Sequence, residues 1–216
     1  MNRQFAVIGL GRFGSSVAKT LHSLGAQVLA IDVNEERVRA MVDYSTRCVV
    51  ADATDEQVLR SLGIRNFDVV IVGVGGDIQA SILTTLILKE LGVNFAVVKA
   101  QSELHGKVLY KIGADKVVFP ERDMGVRVAH NLVSSNILEY IQLSPDVSII
   151  EIVASDKFVG KELRQLDLRN RFGVNVIAIK RGEGINITPR ADDRIQEGEV
   201  LVVIGEAEAI KRLEKI

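Results

Sequence analysis

Residues 5–18, Phe-Ala-Val-Ile-Gly-Leu-Gly-Arg-Phe-Gly-Ser-Ser-Val-Ala, constrain the fold more than any other stretch of the chain. Residues 5–8 are apolar throughout and read as a short buried strand. Gly9, Gly11 and Gly14 complete a G-x-G-x-x-G turn, and residues 15–24 continue as an amphipathic helix. The first glycine permits a tight turn, the second lets a pyrophosphate approach the backbone, and the third lets the helix pack closely on the strand. Phosphates laid on such a turn meet unpaired backbone N–H groups and the positive end of the helix dipole. Arg12 and Phe13 lie inside the turn, where Arg12 supplies a cationic arm for a phosphate beyond a diphosphate.

The glycine motif alone is weak, so its context has to carry the inference. A second apolar strand over residues 27–31 ends in Asp32, 18 residues beyond Gly14. That is close to the spacing of about 20 at which an acid in this fold meets ribose hydroxyls. Strand, glycine turn, helix, strand and acid agree in predicting an adenine-nucleotide site. The alternative is that the glycines only make a close helix–strand contact. Asp32 would also repel a 2′-phosphate, which disfavours NADP.

The units that follow repeat the alternation of strand and helix. Asn34 precedes the acidic turn Glu35-Glu36 as a helix N-cap candidate. Asn34 and Arg37 either flank an adenosine or only cap and solvate that helix. A third strand over residues 47–50 is closed by Ala51-Asp52-Ala53-Thr54-Asp55. This puts Asp52, Ala53 and Thr54 at the carboxyl end of a strand, where open α/β sheets bind their ligands. Asp52 is assigned to the adenine edge, with turn or N-cap duty as the alternative. A helix over 55–62 stops at Gly63, and the almost unbroken apolar run from residue 67 is that of a parallel strand covered on both faces. Gly73, Gly75 and Gly76 then let backbone approach a ligand a second time. A helix over 77–91, a strand over 96–100 carrying Lys99, a helix over 102–112 and a strand over 116–120 complete six β units. The predicted fold class is α/β, a Rossmann-like doubly wound parallel sheet of six strands.

After Pro120, residues 121–141 are expected to form one long crossover helix. Its apolar positions Met124, Val128, Leu132, Val133 and Ile137 mostly recur every three or four residues. Ser144-Pro145-Asp146 marks a linker or turn. Beyond it, strands over 148–154, 174–180, 185–188 and 199–204 and helices over 162–170 and 207–215 predict a separate, smaller α+β domain. The expected division is therefore 1–120, a crossover over 121–143, and 144–216. A second domain of that size is near the lower limit for independent stability, which makes it a candidate for dimerisation.

Composition narrows the function. The chain carries 27 Lys+Arg against 28 Asp+Glu, a balance with no electrostatic reason to bind nucleic acid or an acidic membrane. No apolar run approaches the roughly 18 residues that span a bilayer, and a first strand starting near residue 4 leaves no room for a signal peptide. The expected location is cytoplasmic. The single cysteine, Cys48, excludes an intrachain disulfide framework and is expected to be a small buried thiol in a strand. His22, His105 and His130 show no metal-ligand spacing and are expected on helix surfaces or interfaces.

The segments Phe5 through Gly14, Leu29-Ala-Ile-Asp32, Ala51-Asp-Ala-Thr54, Ile78-Gln-Ala-Ser81 and Lys111-Ile-Gly-Ala-Asp115 resemble the regulator-of-conductance-of-potassium family over essentially the whole chain. Within it the chain is most similar to cytosolic regulatory subunits of Ktr-type bacterial potassium uptake systems. The resemblance implies a nucleotide-binding domain, a crossover helix and a C-terminal ligand domain. It further implies a homodimer assembling into a homo-octameric ring against a membrane-embedded potassium-transporting subunit, at the inner face of the membrane. The implied ligands are ATP and ADP, with ATP favouring the active transporter. Gly9, Gly11 and Gly14 match the phosphate loop, Asp32 the ribose acid and Arg12 the arginine associated with the terminal phosphate. Phe13, Asp52, Ala53, Thr54, Gly75 and Lys99 complete the assigned nucleotide set with Asn34 and Arg37. Glu121 matches an acid that helps hold a divalent cation, Mg2+ or Ca2+, near the γ-phosphates. From the residues alone, Glu121 is a carboxylate in a first helical turn. In some relatives the C-terminal domain binds cyclic di-AMP, with Arg169, Asn175 and Pro189 the contacts assigned here, although no motif fixes them.

Two other functions share the same fingerprint. Trk-type relatives bind NAD(H) as a regulator, and Asp32 suits that ligand too. An NAD-dependent oxidoreductase would use the same glycines and acid, but no His–acid or Tyr–Lys constellation is evident in the second domain. No residue is assigned a catalytic role, and there is no Walker lysine for ATP hydrolysis.

Overall fold

The computed structural model describes residues 3–133, 137–144 and 146–213. The chain divides between Arg122 and Asp123 into two compact units.

The first unit alternates strand and helix: β1 (Gln4–Ile8), α1 (Arg12–Ser23), β2 (Gln27–Asp32), α2 (Glu35–Arg39), β3 (Arg47–Val50), α3 (Glu56–Ser61), β4 (Val69–Val72), α4 (Ile78–Glu90), β5 (Ala96–Lys99), α5 (Glu103–Lys111) and β6 (Lys116–Val118). All six strands are parallel, in the order β3-β2-β1-β4-β5-β6. This is the expected doubly wound sheet, with its switch point between β1 and β4. The period-two alternation of strands assigns the core. Ala6, Ile8, Leu29, Ile31, Val70 and Val72 pack on one face with Leu59, Leu88 and Leu109. Val7, Val28, Ala30 and Ile71 pack on the other with Ala18 and Met41. Both faces being covered explains why these strands carry unbroken apolar runs.

Four helices of this unit begin alike. Asn34, Asp55, Asp77 and Ser102 cap α2, α3, α4 and α5, each side chain accepting a backbone N–H of the first turn. The helix α1 does not. Its N-cap is Gly11, with no side-chain cap and no acidic residue in the first turn. The positive end of that one helix is thus left without an internal partner of its own.

The second unit is an antiparallel sheet in the order β10-β9-β11-β8-β7, built from β7 (Ile137–Gln142), β8 (Val147–Val153), β9 (Val174–Arg181), β10 (Gly184–Asn186) and β11 (Val200–Glu206). The helix α6 (Pro120–Val133) carries the chain across the division, and α7 (Leu163–Leu166), α8 (Leu168–Phe172) and α9 (Ala207–Leu213) complete the unit. Ile150, Ile152, Leu201 and Val203 form its core with Leu166, Leu168, Ile210 and Leu213.

Several expectations need correcting. The helix expected over 121–141 ends at Val133, and its last residues, from Ile137 on, belong to β7. The three- and four-residue spacing misled because Met124, Val128 and Leu132 are exposed on α6, whereas Ile137 is buried on a strand that pairs with β8. The helix expected over 162–170 is two short helices broken at Asp167, whose φ of +46° is left-handed. The return strand over 185–188 shortens to Gly184–Asn186. Pro145 of the expected turn and the last two residues of the 207–215 helix lie outside the described residues. His105 is buried on α5, not on a surface; its Nδ1 accepts the Gln101 N–H, and burial pushes its pKa down. Cys48 is only half-buried, with Sγ 2.8 Å from the Ser45 hydroxyl.

The glycine turn sets a direct test of this packing. A Cβ on Gly14 would stand 1.9 Å from the Gly9 carbonyl oxygen, whereas one on Gly11 meets nothing within 4 Å. Gly14→Ala should lower unfolding stability in urea by about 3 kcal/mol. Gly11→Ala should cost no more than about 1 kcal/mol, the cost of an alanine N-cap.

Candidate nucleotide site

A cavity of about 620 Å³ opens at the carboxyl ends of the parallel strands, a volume suited to a nucleotide-sized ligand. Its floor is the glycine turn. Gly9 has φ +86°, a left-handed conformation that an L side chain adopts only with strain. A Cβ there would also meet the Val74 backbone nitrogen at 2.8 Å. Gly11 presents open space to the cavity, and the uncapped start of α1 points its N–H groups there.

Asp32 stands at the end of β2 and is only 5% exposed. Its Oδ2 accepts the Leu10 N–H at 2.6 Å and its Oδ1 the Asn34 N–H at 2.8 Å. One carboxylate thus joins the turn after β1 to the turn after β2. An ionised carboxylate has about four acceptor positions, so two backbone donors leave capacity for two hydroxyls. Arg37 adds a guanidinium nitrogen 3.5 Å from Oδ2.

The loop after β3 forms a second wall. Asp52 Oδ1 accepts both the N–H of Thr54 at 2.9 Å and its hydroxyl at 2.7 Å. These bonds from Thr54 hold the Asp52 carboxyl below its ordinary value. The Asp52 carboxylate therefore closes a turn while its loop faces the cavity with Ala53 and Thr54. Thr84, on α4, donates to the Ala53 carbonyl at 3.3 Å and fixes that wall from below.

Of the thirteen residues assigned to the nucleotide, eleven line this one cavity. Gly14 lies beneath it, packed on Gly9, and Asn34 accepts the Arg37 N–H at 3.1 Å as the cap of α2. Arg12 is exposed on the rim, and no ion pair engages it among the described residues. Lys99 and Glu121 line the cavity together as an ion pair, and the hydrogen bond from Lys99 holds the Glu121 carboxyl below its ordinary value. Sequence reasoning missed Val33, Val74, Asp77, Ala80 and Thr84. The signal for the last four was present: Gly73, Gly75 and Gly76 ahead of the Asp77 cap repeat at β4 the strand–turn–helix pattern of β1.

In the second unit, Arg169, Asn175 and Pro189 line a single recess of about 450 Å³ with Arg164, Asp167 and Arg190. No motif connects the three. They meet because α8, the start of β9 and the loop after β10 converge there.

Comparison with known proteins agrees with both units. Residues 5–120 match the TrkA-N domain family and residues 147–216 the TrkA-C domain family. The chain is 52% identical over 215 residues to the Ktr system potassium uptake protein C of Bacillus subtilis (strain 168), covering 100% of this chain and 97% of that one. The chain belongs to the regulator-of-conductance-of-potassium family. The solved GsuK RCK domain shares the fold at TM-score 0.70 and 20% identity, covering 100% of this chain, which spans about half, 47%, of that one. A structure of GsuK bound to ADP matches 61% of this chain and 34% of that one, at TM-score 0.53 and 30% identity.

The double duty of Asp32 is open to measurement. Asp32→Ala strands the buried Leu10 N–H and the Asn34 N–H, at about 1–3 kcal/mol for each buried unpaired donor. Urea unfolding should show a loss of about 2–4 kcal/mol, and Asp32→Asn, which keeps one acceptor oxygen, should recover part of it.

Proposed function

We propose that this chain is a nucleotide-binding regulatory subunit of a potassium uptake system and not an enzyme. It binds ADP or ATP in the cavity of its first unit and gates a membrane-embedded potassium-transporting partner according to which of the two it holds. The observation that carries this reading is the uncapped N-terminus of α1 facing the cavity between Asp32 and Arg12. A phosphate there meets free N–H groups and a helix dipole, and the ribose meets a carboxylate already oriented by two backbone bonds. The Ktr name of a relative identical at half its positions, and the ADP of the GsuK structure, support the same ligand and system.

ADP and ATP share the adenosine and diphosphate contacts, so only groups that meet the third phosphate can shift an equilibrium between two states of the subunit. Arg12, exposed on the rim and without an ion pair among the described residues, is the natural reader. The Lys99–Glu121 pair lies over the half of the sheet where a dinucleotide would place its second nucleoside. The Lys99 ammonium of that pair suits a phosphate better than a nicotinamide riboside, which favours ATP and ADP over NAD(H). Glu121 is the assigned ligand of a divalent cation, Mg2+ or Ca2+. Among the described residues no three His, Cys, Asp or Glu side chains cluster. Such a cation would therefore take most of its oxygen shell from the nucleotide, from water and from a second copy's carboxylate.

The assembly follows the family. No helix among the described residues is long and apolar enough to cross a membrane, so contact with a membrane runs through the transporting partner, at its cytoplasmic face. Ile78, Leu83 and Leu86 of α4 remain exposed although the opposite side of that helix is buried, a face fitted to a homodimer and to a ring of eight. The Arg-lined recess of the second unit is the proposed site for cyclic di-AMP, whose two phosphates suit Arg164, Arg169 and Arg190.

Titration of the full chain with ATP, ADP and NADH tests the proposal. Arg12→Ala should weaken ATP by about tenfold or more, a loss of roughly 1.4 kcal/mol, while ADP changes less than about threefold. Equal loss of both nucleotides removes Arg12 as the reader, and tight NADH binding with turnover of a small substrate overturns the regulatory reading.

A further inference from the structure

Of the cations facing the nucleotide cavity, Arg37 is tied to Asp32 and Lys99 to Glu121. The two pairs differ in kind. Arg37 is 55% exposed, whereas the Lys99 side chain is 12% exposed and its partner Glu121 is 70% exposed. An ammonium so enclosed requires a counter-charge, and here the counter-charge comes from a carboxylate on the solvent side.

The position of Lys99 gives that pairing a consequence. It ends β5, two strands from β1 in the order β1-β4-β5, so its Cα stands roughly 10 Å from the phosphate turn at about 4.8 Å per strand. The side chain reaches back across the loop after β4, and a Cβ on Gly75 would stand 3.0 Å from its Nζ. The ammonium therefore lies over the middle strand, between the phosphate turn and Glu121. A phosphate chain growing outward from α1 approaches it from one side, and the Glu121 carboxylate holds it from the other.

We infer that Lys99 is an exchangeable counter-ion, for which the Glu121 carboxylate and the distal phosphate of a bound nucleotide compete. This inference rests on the reading of the cavity as an ATP and ADP site. A phosphate that takes the ammonium releases Glu121, and two anions cannot share one cation without repelling each other. Glu121 belongs to the first turn of α6, the helix within which the chain passes from the first unit to the second. The length of the phosphate chain is thereby felt at the start of that helix, one residue beyond Pro120. Arg12 reads the terminal phosphate at the rim. Lys99 converts its arrival into the loss of a bond to α6.

A double-mutant cycle on the full chain tests the competition, with ATP affinity read by calorimetry in EDTA so that no divalent cation contributes. Glu121→Gln should tighten ATP by roughly three- to fivefold, the range of a partly exposed ion pair, and Lys99→Gln should weaken it by a similar factor. In the Lys99→Gln background the Glu121→Gln effect should fall below about twofold, while a Lys99→Arg background, which keeps the charge, should retain it. Glu121 is exposed and its variant keeps the fold, so the cycle does not depend on the folding of Lys99→Gln alone. An equal Glu121→Gln effect in both backgrounds reduces Glu121 to long-range repulsion and overturns the competition. Unchanged or weakened ATP binding in Glu121→Gln overturns it as well. Wild-type protein that binds neither ATP nor ADP defeats the nucleotide reading and this inference with it; ATP binding without coupling defeats the inference alone.

Discussion

The carbonyl oxygen of Gly9 lies against Gly14 where any other residue would put a methyl group, at 1.9 Å from the place its Cβ would take. That contact draws the start of α1 down onto the end of β1 and sets the direction of the helix axis. Because Gly11 offers no capping side chain, the N–H groups of the first turn face the crevice beside β4. Asp32 then locks the arrangement from the neighbouring strand through the Leu10 N–H. A ligand meets a turn whose donors are already aimed, so the ordering cost of binding is met in folding. The cavity walls contributed by β3, β4 and β5 depend on this one close approach, since the sheet order places them around it.

Much of this was legible because the requirement is local. The glycines at 9, 11 and 14 answer steric demands within six residues, and apolar runs on strands covered by helices on both faces need no partner to be recognised. The doubly wound order and the acid at the end of β2 follow from the same patterns. What was not legible depends on groups distant in sequence. The strand β7 exists because β8 offers it a ladder, and its Ile137 matches a helical stripe as well as a strand's inner face. Asn34 and Asp52 each had two defensible roles; the folded chain shows Asn34 capping α2 and Asp52 closing a turn with Thr54. The Lys99–Glu121 pair joins residues brought together only by the pairing of β5 with β6. The break at Asp167 rests on a left-handed backbone that nothing in the surrounding residues announces.

The charges in and around the cavity fall into an ordered set. Asp32 lines the cavity at the end of β2 and is held by backbone. Arg12, on the rim, has no ion-pair partner among the described residues. Lys99 and Glu121 are held by each other at the far side. Under the proposed reading, the backbone-held groups would bind the common part of two nucleotides and the remaining charges would meet their difference. A regulator needs that division, since a ligand moves an equilibrium only by its differential contacts with the two states.

The most direct measurement is the identity of the nucleotide that the full chain retains through purification, released by heat or acid and resolved by ion-exchange chromatography. An adenosine di- or triphosphate, in up to one equivalent per chain and displaceable by added ATP, is the expected result. Retention of NAD(H), with no displacement by ATP, would contradict the central claim that the cavity holds an adenosine phosphate and distinguishes its phosphate chains.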